Sequence, residues 1–277
     1  MPYCVRSLLV VASASLVITG AGIPSRLQGA PLLRYRFTTG QVDRYLVDVQ
    51  VKVESAERIP ELTTRTIRGT GSNFVRVLKV NPDGSARIQI EVQPLRMAGA
   101  RDSTLSPQSV TFTMNPRGEG PTAKLVRGKA LSPNDLFVDP SALSRLGAIL
   151  PSNRVKPGDR WTSTAPNPFQ STGDVTISSR YFAPDLVHGV PTVRIHQTMM
   201  LPIGTRMIPP GGTGVVKAHG WLKVNSAIHF APTLGKVIRS SSLGNGKVRL
   251  TTLSKGSPEE SVTLALNVDA VSELVER

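Results

Sequence analysis

Arg44-Tyr45-Leu46-Val47-Asp48-Val49-Gln50-Val51-Lys52-Val53 is the stretch that decides the fold class. Tyr45, Val47, Val49, Val51 and Val53 alternate with Asp48, Gln50 and Lys52. An alternation of period two gives an extended chain one dry face and one wet face.

The pattern recurs on both sides of this stretch. Leu33, Tyr35 and Phe37 alternate with Arg34 and Arg36, and Ala86, Ile88, Ile90 and Val92 with Arg87, Gln89 and Glu91. Val110, Phe112 and Met114 form another such run, as do Val175, Ile177 and Tyr181, and Val193, Ile195, Met199 and Leu201. Val262, Leu264, Leu266 and Val268 give the last. Turn chemistry separates the runs at Thr38-Thr39-Gly40, Asn81-Pro82-Asp83-Gly84, Asn115-Pro116-Arg117-Gly118 and Pro232-Thr233-Leu234-Gly235. Asn245-Gly246 predicts a tight hairpin, and the Gly- and Pro-rich residues from Pro202 to Gly214 predict a long exposed loop.

One helix is predicted in the middle of the chain. Asp139 suits an N-cap and Pro140 the first helical position. Leu143, Leu146, Ile149 and Leu150 would share a face, and Pro151 ends the run. Ser132-Pro133 is a second, shorter helical candidate. The organisation is then a signal peptide at 1–22, a linker at 23–31, a first β half at 32–138, a hinge helix at 139–151 and a second β half at 152–277. Gly40 with Asp43-Arg44-Tyr45 opens the first half, and Gly158-Asp159-Arg160-Trp161 opens the second, which makes the halves candidates for duplication. The predicted fold is all-β with one or two short helices, its antiparallel sheets curved into a half-barrel. Sheets that each bury one face also admit a β-sandwich as the alternative.

Length and composition fit this reading. The 277 residues, 39% hydrophobic and 19% charged, are enough for a real core. Arg6 precedes an apolar run from Ser7 to Thr19, and Gly20-Ala21-Gly22 supplies small residues for cleavage. That layout is a secretory signal peptide, and it predicts a periplasmic or extracellular protein; a retained N-terminal anchor is the alternative. The single cysteine, Cys4, lies before the apolar run, so a chain shortened after Gly22 has no disulfide or thiolate chemistry.

The formal net charge is +14, and loss of Arg6 leaves 32 bases against 19 acids. Such a charge attracts polyanions. The partners it predicts are anionic lipid or an acidic envelope polymer, with peripheral membrane contact. Nucleic acid is not expected, because no aromatic RNA-binding signature and no basic recognition helix is present.

No catalytic motif is found. There is no Gly-x-Ser-x-Gly elbow, and Gly211-Gly212-Thr213-Gly214 with Lys217 lacks phosphate-loop spacing. His188, His196, His219 and His229 have no metal-ligand spacing. Asp135, Asp139, Asp159 and Asp174 are near one another in sequence, and a carboxylate pair drawn from Asp159 and Asp174 is the one acid–base candidate. No cofactor is expected. The residues expected to line a ligand cavity are Trp161, Trp221, Tyr45 and Phe112.

Four strings carry a resemblance. They are Leu33-Arg34-Tyr35-Arg36-Phe37-Thr38-Thr39-Gly40, Asn81-Pro82-Asp83-Gly84-Ser85-Ala86, Phe112-Thr113-Met114-Asn115-Pro116-Arg117-Gly118, and Leu150-Pro151 with Val155-Lys156-Pro157-Gly158-Asp159-Arg160-Trp161. In these the chain resembles a broad group of exported bacterial β-rich proteins of unknown function, of signal-peptide or lipoprotein type. It departs from the lipoprotein members in having no cysteine after the apolar run. The succession of long strands also resembles the half-barrel of Lol-type lipoprotein carriers. Export, the missing catalytic motifs, the long alternating strands and the strong basicity together predict a non-enzymatic binding or carrier module in the envelope, for a lipidic or anionic ligand. The alternatives are a hydrolase of an envelope polymer and an adhesive protein with no small-molecule site.

Overall fold

The computed structural model describes residues 30–55, 65–93, 96–98, 108–120, 147–167, 173–207, 215–253 and 260–276. Its strands are β1 (Val42–Ser55), β2 (Arg65–Val80), β3 (Ala86–Val92), β4 (Arg96–Ala98), β5 (Gln108–Met114) and β6 (Arg160–Pro166). They continue with β7 (Asp174–Val187), β8 (Val190–Met207), β9 (Val215–Ala231), β10 (Lys236–Leu253) and β11 (Glu260–Glu276). All belong to one curved antiparallel sheet in the order β5-β3-β2-β1-β11-β10-β9-β8-β7-β6, with β4 beside β2. The sheet is half-barrel-like: β5 and β6 remain its two edges, and it does not close. Among the described residues there is no helix.

The alternation seen in the sequence becomes the two faces of this sheet. Val47, Val49 and Val51 of β1 are buried and line up with Ser272, Ala270 and Val268 of β11. Further along the same face, Met199 of β8 lies opposite Val224 of β9, and Leu201 opposite Leu222. Both pairs belong to one core with Ile177, Val248 and Leu266. The predicted halves lie side by side in this sheet, joined where β1 pairs with β11. Pro31–Arg277 form one compact unit.

The two openings are built alike. Gly40 N–H donates to Val77 O, Val77 N–H to Gln41 O, and Gln41 N–H to Thr38 O. In the second half Gly158 N–H donates to Tyr181 O, Tyr181 N–H to Asp159 O, and Asp159 N–H to Lys156 O. Each paired strand also carries a bulge at the equivalent place, between Val77 and Lys79 and between Tyr181 and Ala183. This pattern matches Gln41 to Asp159 and Asp43 to Trp161. The Asp-Arg-aromatic triplets that look alike in sequence are therefore two residues out of step.

Four expectations need correction. The run Leu33, Tyr35 and Phe37, expected as a strand, forms none, and the first strand begins at Val42. Gly147–Pro151, the end of the predicted hinge helix, is not helical. Ile149 and Leu150 enter two different clusters, as neighbours on an extended chain do. The rest of that helix, Ser132-Pro133, residues 1–22 and the linker before Ala30 lie outside the described residues. Pro202–Met207, expected as loop, continues β8, while 208–214 lie outside the described residues. Asn245-Gly246 makes no hairpin: it lies inside β10, with Asn245 opposite both Lys223 and Asn267. A Cβ at Gly246 would overlap the Trp221 carbonyl, so the glycine serves close approach of β9 to β10.

Two irregular segments cross one end of the sheet and tie its edges. Residues 31–37 reach the turn after β5 through Tyr35 N–H to Pro116 O (2.7 Å), and the β9–β10 turn through Arg36 N–H to Gly235 O (3.1 Å). Residues 147–155 take Leu150 N–H to Arg117 O (2.7 Å), and Ile149 O accepts the Trp161 indole N–H from edge strand β6 (2.8 Å). Arg34 locks the two segments together, donating to Pro151 O at 2.7 Å and Ser152 O at 2.6 Å. Leu33 and Leu150 of these segments pack onto Tyr181, Ile195 and Phe230 of the sheet.

Candidate functional site

The four cavity residues expected from sequence do not all share one face of the sheet. Trp161 is half-buried on the dry face of β6, against the cluster under the two crossing segments. Tyr45 is half-buried on β1, and its hydroxyl donates to Val237 O at 3.0 Å. Burial pushes that phenol well above its ordinary pKa, so it stays neutral. Phe112 is half-buried on β5, opposite Ile88. Trp161 and Tyr45 are six strands apart in sheet order, yet Trp161 packs on the cluster that also takes Val237, the residue whose carbonyl accepts the Tyr45 hydroxyl. Trp221 contradicts its expected role. It lies on the wet face of β9, 40% exposed, because its odd register position is opposite to that of buried Leu222 and Val224.

The acid–base candidate is also separated. Asp159 lies in the turn before β6 and accepts Lys156 N–H at 2.9 Å. Asp174 pairs with Pro166 at the far end of the same hairpin. Seven residues of strand put the two acids roughly 20 Å apart, too far for a shared bond-cleaving site. Asp135 and Asp139 lie outside the described residues. Among the described residues no three His, Cys, Asp or Glu side chains gather to hold a metal ion.

What the register does bring together is a polar row on the largely apolar face. Ser179 of β7 lies opposite Gln197 of β8, Gln197 opposite Ser226 of β9, and Ser226 opposite Ser242 of β10. The Gln197 amide donates to Ser179 Oγ at 3.1 Å, and Ser226 Oγ and Ser242 Oγ are 2.8 Å apart. Gln197 is 1% exposed, and its Oε1 has no hydrogen-bond partner. Ser163 Oγ, on the same face of β6, is buried and unpartnered too. An orphaned buried acceptor costs about 1–3 kcal/mol, so the row is an expensive feature of a face that could have been wholly apolar. Sequence reasoning missed it. The one signal was a glutamine at a dry position between Ile195 and Met199.

A separate cluster sits on the wet face of β7–β9. Phe182 stacks on His196 at 4.4 Å, and the Arg194 guanidinium lies 4.6 Å over the Phe182 ring. His229 Nδ1 is 3.5 Å from Asp185 Oδ2. Burial holds the pKa of His229 below its ordinary value; Asp185 opposes that, and Arg194 and Arg239 reinforce it. The unfolded chain therefore takes up the proton first as pH falls. Stability should decline as pH drops below the unfolded histidine value of about 6.5. A series of melts across pH should show a shallower decline for His229→Gln.

No protein-family profile matches the chain, and no curated protein matches it. Among solved structures the chain is similar to DynF from the dynemicin biosynthesis pathway of Micromonospora chersina. The likeness covers 90% of this chain and 89% of that one, at 12% identity and a TM-score of 0.25. Superposition that loose bears on neither fold nor function.

Proposed function

We propose that this is an exported, non-enzymatic binding or carrier module whose apolar sheet face takes up a lipidic ligand. The observation that carries the reading is Gln197: a buried amide in a polar row, with one oxygen unpaired, on a largely apolar face. An amphiphile that lays its chain on the apolar side chains and donates a hydrogen bond to Gln197 Oε1 satisfies both. The sheet supports it by staying open, since an unclosed half-barrel can admit a chain without unfolding. The signal-peptide layout of residues 1–22 supports export.

Native mass spectrometry of the protein purified from its host tests this reading, with a lipid or lipopeptide adduct expected. Gln197→Leu should lose the adduct with little change in stability, because removing the unpaired Oε1 is offset by stranding buried Ser179 Oγ, which accepts from the same amide. No adduct on the wild type, together with no uptake of a fluorescent fatty-acid probe, would sink the carrier. A Gln197→Leu protein that keeps its adduct would detach the polar row from binding.

A further inference from the structure

The geometry points to the wet face of β8–β10 as a docking surface for anionic lipid bilayers. A docked protein needs no ligand on its dry face, so this surface stands apart from the carrier reading.

Between Asp185 and Glu259 the sequence contains no acid, yet it holds nine lysines and arginines. The sheet register gathers several of these around one exposed aromatic. Trp221 of β9 lies opposite Lys247 of β10 on one side and Pro202 of β8 on the other. Lys223, two residues along, lies opposite Met200, and Arg249 lies opposite His219 on the other side of Trp221. Lys217 extends the same face. Lys223, Lys247 and Arg249 are exposed. Lys217, Lys223 and Lys247 form no ion pair among the described residues.

Apolar side chains share the surface. Met200 is 49% exposed and Trp221 40%. A soluble acidic polymer offers nothing to an exposed methionine and indole. A bilayer interface does: the indole settles among the head groups, the thioether enters the acyl boundary, and the lysine stems lie along apolar surface with their ammonium groups at the phosphates. The register of β8–β10 thus concentrates a charge that the sequence alone shows as spread along the chain.

The test is cosedimentation of the protein purified from its host with two kinds of vesicle, phosphatidylcholine alone and an equimolar mixture with phosphatidylglycerol, across a salt series. Dextran sulfate competition forms a third arm. Every variant is processed alike at its N-terminus, so differences between variants report on this face. Binding should favour the anionic vesicles and fall as salt rises. Neutralising Lys217, Lys223 and Lys247 together with glutamine should weaken it roughly 100-fold at low salt. Trp221→Ala should weaken it roughly tenfold. Brominated lipid should quench the wild-type fluorescence more than that of Trp221→Phe. Lys79→Gln with Arg87→Gln, an opposed exposed pair on the wet face of β2 and β3, should change little. Equal losses from that control pair and the lysine triple, or equal binding to neutral vesicles, would overturn the proposal. So would a Trp221→Ala protein that binds vesicles normally while dextran sulfate competes at equal charge, since the face would then recognise polyanions of any kind.

Discussion

Replacing Lys236 with methionine is expected to destabilise the fold by about 3–5 kcal/mol, measured by chemical denaturation. Asp43 is 3% exposed at the start of β1. Its carboxylate accepts from Lys236 Nζ at 2.6 Å and from Gln41 Nε2 at 2.6 Å. Lys236 begins β10, two strands away, so the pair spans the end of β11. Tyr45 spans the same gap through its hydroxyl bond to Val237 O. Methionine keeps the stem of the lysine and removes the ammonium, leaving a buried carboxylate with only an amide donor. Removing one partner of a buried pair is far worse than removing both. The double variant Asp43→Asn with Lys236→Met should therefore recover most of the loss. A single variant within about 0.5 kcal/mol of wild type would mean that water reaches Asp43 and the pair ties nothing.

Much of the sheet was legible in the sequence because period-two alternation is local. Val47, Val49 and Val51 read as dry and are buried; Asp48 and Lys52 read as wet and lie on the opposite face. Turn residues were equally legible where they act alone, as at Asn81-Pro82-Asp83-Gly84, whose Asp83 carboxylate accepts Ser85 N–H at 2.9 Å. Strand order was not legible, because pairing of β1 with β11 depends on residues more than two hundred positions apart. Asn245-Gly246 misled for a related reason. The dipeptide satisfies hairpin chemistry, but its glycine is set by contact with β9, which no local window contains.

The candidate sites show the same division. Trp221, one of two tryptophans in the chain, is expected from sequence at a cavity wall. Parity with Leu222 and Val224 would have assigned it to the wet face. Gln197 was overlooked because one polar residue in a strand is unremarkable until its neighbours are known. Only the register makes Ser179, Gln197, Ser226 and Ser242 into a row. Chemistry carried by cross-strand neighbours is invisible to a reading that sees one strand at a time.

Gly118→Ala should loosen the tie between the edges of the sheet and lower stability by roughly 2–4 kcal/mol. Gly118 closes the turn after β5 at φ 83°, donating its N–H to Asn115 O. A Cβ there would sit 2.5 Å from Ala148 O and 2.7 Å from Tyr35 Cε2. Neither neighbour can move freely. Ala148 O accepts the Tyr35 hydroxyl, and the Tyr35 ring packs edge-on against Phe230 at 5.3 Å. The new methyl group therefore pushes residues 147–150 and 33–36 apart at the point where they meet the β5 edge. Gly40→Ala provides the comparison, because Gly40 has nearly the same φ of 84° with nothing within 4 Å of a Cβ. It should show the left-handed backbone penalty alone, about 1–2 kcal/mol. The difference between the two variants isolates the contact with the crossing segments. Hydrogen exchange should place the added loss at Tyr35 and Leu150, whose N–H groups bond to Pro116 O and Arg117 O across that contact. Equal losses from the two variants, with protection unchanged at Tyr35 and Leu150, would show that the segments cross the sheet end without holding its edges.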